Sequence, residues 1–189
     1  MREPKRILAP LSDEAIDSLE AGDSVLITGR IFTARDAAHK RMIELLEAGK
    51  ELPIPLAGQV LYYAGPTPAR PGRVSGPIGP TTSGRMDLYT PQLLDRGLKG
   101  MIGKGLRSDE VIRSMVKNRA VYFAAVGGAA ALIARCVKSS EVVAYPELGP
   151  EAIRRLSVQD FPAIVVIDAR GHDLYRTAPE RYGLEDGQD

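Results

Sequence analysis

The chain has no tryptophan, three phenylalanines, two histidines and one cysteine. With the single thiol of Cys136, no internal disulfide can form. The several thiolates that hold an iron–sulfur cluster are absent as well. The shortage of large aromatics argues against a base-stacking mode of nucleic-acid binding. His39 and His172 are too far apart in sequence to form a metal motif by spacing. Charge of one sign is lacking too. The 25 Lys and Arg stand against 24 Asp and Glu, for a formal net charge of +1, and no long run of either sign occurs. No general attraction to nucleic acid or to an anionic membrane follows. Glycines and charges interrupt every apolar stretch, so no transmembrane helix is expected. The opening MREPK (1–5) is not followed by a long apolar segment and does not read as a secretory signal. A reducing cytoplasm is the expected setting.

What the chain does contain suits an α/β domain. Its 189 residues are 44% hydrophobic and 26% charged, enough to bury a core of its own. One domain over residues 1–189 is expected, with a flexible C-terminal tail from about 178 to 189. There is no internal repeat and no low-complexity segment. VLIT (25–28) reads as a strand. Thr33 and Asp36 form a capping-box-like pair ahead of a helix carrying Ala37, Ala38, Met42, Leu45 and Leu46, which Gly49 stops. Arg35 then lies in a first helical turn, where free N–H groups and the helix dipole favour an anion. LYYA (61–64) reads as a strand, and Thr90 and Pro91 open a short helix that Gly97 ends. GMIG (100–103) is an apolar strand with Lys104 just past its end. Ser108 caps a helix reaching Asn118. A buried strand at 121–126, a small-residue helix at 129–137 and a strand at 141–145 follow. Pro150 opens another helix before a strand at 163–168. From Lys99 onward this alternation predicts a mainly parallel sheet covered by helices. The strand-rich first half predicts a second, separate layer. Ligands of such sheets gather at the carboxyl ends of strands, which is the address of Lys104.

The richest polar segment is GPTTSGRMD (79–87), reached through a loop stiffened by Pro66, Pro68, Pro71 and Pro77. Glycines admit close backbone approach, and an arginine grips a carboxylate or phosphate through two parallel hydrogen bonds. The segment reads as an anion site with hydroxyls beside it. It misses the phosphate-loop signature at two places, with Arg85 for the lysine and Met86 for the magnesium-binding hydroxyl. A non-catalytic phosphate- or nucleotide-binding module is therefore a rival reading. A structural assembly partner, with these basic residues in an interface, is another.

Six segments in order, TARDAAHK (33–40), GPTTSGRMD (79–87), KGMIGKG (99–105), FAAVGG (123–128), EVVAY (141–145) and VQDFP (158–162), carry a resemblance that spans nearly the whole chain. They resemble the β subunit, or C-terminal domain, of the class I (iron–sulfur) fumarases and the related L-tartrate dehydratases. The resemblance implies a swivelling, three-layered β/β/α domain. It implies a hydro-lyase that hydrates fumarate reversibly to malate, with L-tartrate dehydration as the alternative. A 4Fe-4S cluster is implied in a separate α subunit, where one iron binds substrate oxygens as a Lewis acid. This chain would bind no metal, and the active site of the resulting hetero-oligomer would be shared between subunits.

The same resemblance assigns the site residues. Arg35, Arg85 and Lys104 match substrate-binding segments and are expected on the carboxylates of a small dicarboxylate. Thr81 and Thr82 match the family's paired threonines, the first assigned to proton abstraction and the second to substrate contact. A hydroxyl is a weak base near neutral pH, so Thr81 requires an ionised neighbour or relay, such as a carboxylate from a partner chain. Asp36 reads as a helix-start carboxylate. His39 and Asp87 stay without a role, and Ser83 and Gly84 shape the turn. Leu106 departs from the Asn found at that place in fused-chain fumarases.

Overall fold

The computed structural model describes residues 3–69, 71–125 and 130–177. It is a mixed α/β structure built on seven strands: β1 (Lys5–Ala9), β2 (Ser24–Thr33), β3 (Val60–Tyr62), β4 (Gly100–Gly103), β5 (Val121–Ala125), β6 (Val137–Ala144) and β7 (Ile153–Ile167). Five helices intervene: α1 (Asp13–Asp17), α2 (Asp36–Glu47), α3 (Thr90–Asp95), α4 (Asp109–Asn118) and α5 (Ala130–Cys136). The expected tail at 178–189 and the end of the 121–126 strand lie outside the described residues, as does the first residue of the 129–137 helix. Among the described residues no helix is long and apolar enough to cross a membrane.

The two longest strands, β2 and β7, pair antiparallel through most of their length. On the other edge of β2, β1 and β3 pair in succession, both parallel. On the other edge of β7, β6 pairs with its first part and β5 with its last, both antiparallel. The parallel pairs β3–β4 and β4–β5 complete the circuit. Five strands, β2-β3-β4-β5-β7, thus close into a barrel-like ring. Closure leaves those strands without a free edge.

Four expectations are corrected here. The first half forms no separate sheet, because β1, β2 and β3 belong to the same sheet as β4 and β5. The last strands are not parallel. Only a 3-10 turn, Pro146–Glu151, separates β6 from β7, and a parallel crossover needs a dozen or more residues. Pro150 therefore sits inside that turn and starts no helix. Thr33 is not a helix cap. It is still in β2, where its hydroxyl accepts the Arg154 N–H at 3.3 Å, so the residue before α2 is Arg35 in an extended conformation.

The strands alternate between two cores, as period-two side chains must. Val60, Tyr62, Ile102, Val121 and Phe123 join one, with Ile16 of α1, Leu19 just after it and Ile133 of α5. Leu61, Met101 and Tyr122 join the other, against Ala38 and Met42 of α2, Leu93 and Leu94 of α3, and Val111 and Met115 of α4. The second core holds α2, α3 and α4 against the sheet. It thereby fixes the loops that leave the carboxyl ends of β2, β3 and β4.

Candidate active site

These three parallel strand ends carry the candidate residues. β2 delivers Arg35 at the start of α2, and β4 delivers Lys104 directly after Gly103. Residues 81–86, beyond the strand end of β3 and its proline-rich loop, lie against β4. The Thr81 N–H donates to the Tyr63 carbonyl at 2.6 Å, and the Ser83 N–H to the Lys104 carbonyl at 2.8 Å. Thr82 and Lys104 pair as an isolated parallel bridge. Ser83–Met86 then forms a single 3-10 turn carrying Arg85. The phosphate-loop reading loses its structural context, since this loop opens no α-helix whose N-terminus could cradle a phosphate.

Close approach makes this packing possible. A Cβ on Gly103 would lie 1.9 Å from Ser83 Oγ and 3.2 Å from Tyr63 Cδ2. Only glycine there lets the turn reach the strand. A Cβ on Gly65 would lie 2.7 Å from the Pro150 carbonyl oxygen and 3.5 Å from Arg35 Nη1. The proline-rich loop therefore rests on the segment that carries Glu151.

Glu151 is the residue that sequence reasoning missed at this end. One of its carboxylate oxygens accepts from Arg35 Nη2 at 3.0 Å and the other from the Ala37 N–H at 2.8 Å. It occupies the anion position at the start of α2 that the sequence reading reserved for a ligand. Burial alone would raise its carboxyl. The Ala37 N–H, the Arg35 hydrogen bond and the charges of Arg35 and Arg85 hold it below the ordinary value. Asp36 is also more than a helix-start charge. Its Oδ2 is 2.7 Å from Arg85 Nη2 and 3.9 Å from Arg35 Nε, so it links the two arginines.

Arg35, Arg85, Lys104, Thr81 and Thr82 are thus drawn together, two of them through Asp36. Three cations meet two carboxylates, Asp36 and Glu151, which leaves one positive charge in excess. The Lys104 side chain is exposed and has no carboxylate partner among the described residues. Thr81 is buried, and no described residue hydrogen-bonds to its hydroxyl. Beneath the turn lies Arg107, fully buried between the rings of Tyr63 and Tyr122 and paired with Asp87. Burial would lower the Arg107 value, but the Tyr63 and Tyr122 hydroxyls and the Asp87 carboxylate hold it above the ordinary one. His39 packs edge-on against Tyr63, fully buried, and burial pushes it down to about 4, so its ring is neutral. Nothing in the sequence around Glu151 or Arg107 marked them, because their partners lie 116 and 20 residues away.

The donor set does not fit an iron–sulfur cluster. Among the described residues no group of three or more His, Cys, Asp or Glu is placed to hold a metal ion. Burial raises the Cys136 thiol, which lies 3.6 Å from both the Leu132 and Asp160 carbonyls. It is a poor thiolate by its surroundings.

A family model described as the fumarase C-terminus matches residues 5–178. The anaerobic class I fumarate hydratase of Escherichia coli K12 is 42% identical over 177 residues, covering 93% of this chain and 31% of that protein. Fumarate hydratase 2 of Leishmania major is 37% identical, over 86% of this chain and 29% of its own length. The chain thus spans less than a third of these longer relatives. A putative L(+)-tartrate dehydratase subunit beta of Methanocaldococcus jannaschii is 37% identical over 171 residues, 87% of this chain and 88% of that protein.

Proposed function

The chain belongs to the fumarase C-terminus family, and from that premise we propose that it is the β subunit of a two-subunit iron–sulfur hydro-lyase that hydrates fumarate reversibly to malate. The observation that carries this reading is the meeting of Arg35, Arg85 and Lys104 beside the Thr81–Thr82 pair at neighbouring strand ends. In this reading the domain brings half of an active site to a cytoplasmic hetero-oligomer. The α subunit brings the 4Fe-4S cluster and the other half.

Arg35, Arg85 and Lys104 supply the charge-assisted hydrogen bonds to the two carboxylates of the dicarboxylate. Thr82 stands beside Lys104 and contacts the substrate through its hydroxyl. In the dehydration direction the Thr81 oxygen accepts the proton of the carbon next to a carboxylate. Its own hydroxyl proton passes to an acceptor on the α subunit. The C–O bond of the neighbouring carbon breaks as its hydroxyl leaves toward the α-subunit half of the site and departs as water, and hydration reverses these steps. The absence of a hydrogen-bonded base beside Thr81 among the described residues supports a site completed by a partner. Leu88 and Leu106, 80% and 65% exposed, flank the same turn and loop, and exposed apolar side chains there suit a surface that a partner covers.

The L-tartrate dehydratase β subunit is the second reading, favoured by a relative of that name matched over 88% of its length. Fumarate and tartrate share two carboxylates, so the same three cations serve both. Arg85→Ala tests either version. It is expected to leave assembly with the α subunit intact and to lower kcat/KM by about 100-fold or more, the scale of a lost charged contact. Full turnover in that variant, or loss of assembly, would place Arg85 outside the substrate site.

A further inference from the structure

We propose that Arg107 is a positioning residue of this site, clamping the 81–87 turn to the loop after β4 so that Thr82, Arg85 and Lys104 face one ligand. The inference rests on the hydro-lyase reading of the site. Its geometry stands independently of that reading.

The Arg107 side chain has no solvent exposure. Its Nε donates to Asp87 Oδ1 at 2.7 Å and its Nη2 to Thr90 Oγ1 at 2.8 Å. The guanidinium carbon lies 5.4 Å and 5.1 Å from the ring centres of Tyr63 and Tyr122. The second Asp87 oxygen accepts the Ser108 N–H at 2.6 Å. One ion pair therefore ties the end of the 81–87 turn to the start of α4. The Tyr122 hydroxyl makes a second tie, lying 2.9 Å from both Ser83 Oγ and the Gly105 carbonyl. Ser83, Asp87, Gly105 and Arg107 itself lie within three positions of Thr82, Arg85 or Lys104, and Ser108 and Thr90 lie four and five away.

Stability alone does not call for a charge here. A buried ion pair is commonly replaced by apolar residues of like volume without loss of stability. What apolar packing cannot supply is direction. The planar guanidinium serves Asp87 and Thr90 at once from fixed angles, a task that the single ammonium of lysine cannot reproduce. Arg107 touches no candidate substrate atom and acts through the residues it holds.

The test uses Arg107→Lys and, in case that variant fails to fold, Tyr122→Phe, which removes only the hydroxyl tie. In the complex with the α subunit, Arg107→Lys is expected to lower kcat/KM by about tenfold or more. In an Arg85→Ala background the same change is expected to cost several-fold less than in the wild type, since one of the three groups it positions is gone. Equal losses in both backgrounds, or none in either, would overturn the clamp. Amide hydrogen exchange on the full chain supplies a readout that does not need turnover. Residues 82–85 and 104–106 are expected to exchange at least about tenfold faster in either variant, with β7 unchanged. Unchanged exchange at those residues, or acceleration spread over the whole chain, contradicts the proposal. A wild-type complex inactive on fumarate and tartrate would sink the hydro-lyase reading instead, and the exchange result would still decide the clamp.

Discussion

Gly103→Ala is the sharpest test of how the site is assembled. Gly103 ends β4 with an ordinary strand backbone, since it is not among the positive-φ glycines, so alanine meets no conformational penalty there. The effect is steric. The new methyl would lie 1.9 Å from Ser83 Oγ, 3.2 Å from Tyr63 Cδ2 and 3.3 Å from Ser83 Cβ. The first contact is impossible without movement, while the other two yield to shifts of a few tenths of an ångström. Overpacking of this kind costs about 1–3 kcal/mol. For a domain of this size each kcal/mol is about 2–4 °C in the midpoint, so a fall of about 2–12 °C is expected. Ser83→Ala removes the offending oxygen. Alone it costs about 1 kcal/mol, because Tyr122 loses one hydrogen-bond partner but keeps the Gly105 carbonyl. In the double variant the glycine replacement is expected to cost less than about 1 kcal/mol. Urea unfolding of the four proteins measures the coupling. Additivity within about 0.5 kcal/mol would refute the close approach of turn and strand from which the site is built.

Two further effects follow from buried or half-buried charge. His39 has a folded value of about 4 against 6.5 in the free side chain, so the folded chain favours the neutral ring. Its contribution is fully present above pH 6.5 and is lost as the pH falls toward 4, reaching about 2–3 kcal/mol at pH 4.5. His39→Phe is expected to remove that share of the acid sensitivity, read as the difference in urea stability between pH 7 and 4.5. A slope identical to wild type would contradict a buried neutral ring. Glu151→Ala leaves the Ala37 N–H and Arg35 without their acceptor and is expected to cost about 1 kcal/mol, with faster amide exchange in the first turn of α2. Unchanged exchange there would show that Glu151 does not cap the helix.

Much of the local structure was legible. GMIG at 100–103 is β4 to the residue, and Ser108 caps α4 by accepting the Val111 N–H at 3.3 Å. These features rest on near neighbours, so sequence spacing reports them. The ring was not legible, because β7 meets β2, β5 and β6 across long separations, and a 15-residue strand that mixes buried apolar residues with Arg154, Arg155 and Asp160 carries no mark of its partners. The direction of β7 turned on the short 146–151 connection, which the expected helix at Pro150 concealed. The candidate cations were found through their segments, and the structure brings those segments together. Glu151 and Arg107 were missed for the opposite reason. Each is an ordinary charged residue until the fold places it against Arg35 or Asp87.

The central claim is that this chain holds half of a hydro-lyase site. The most direct measurement is anaerobic co-purification with the proposed cluster-bearing α subunit, followed by assays of fumarate hydration and L-tartrate dehydration on the complex and on each chain alone. The account predicts turnover of fumarate by the complex and by neither chain separately. A well-formed, cluster-loaded complex that turns over neither substrate would contradict it.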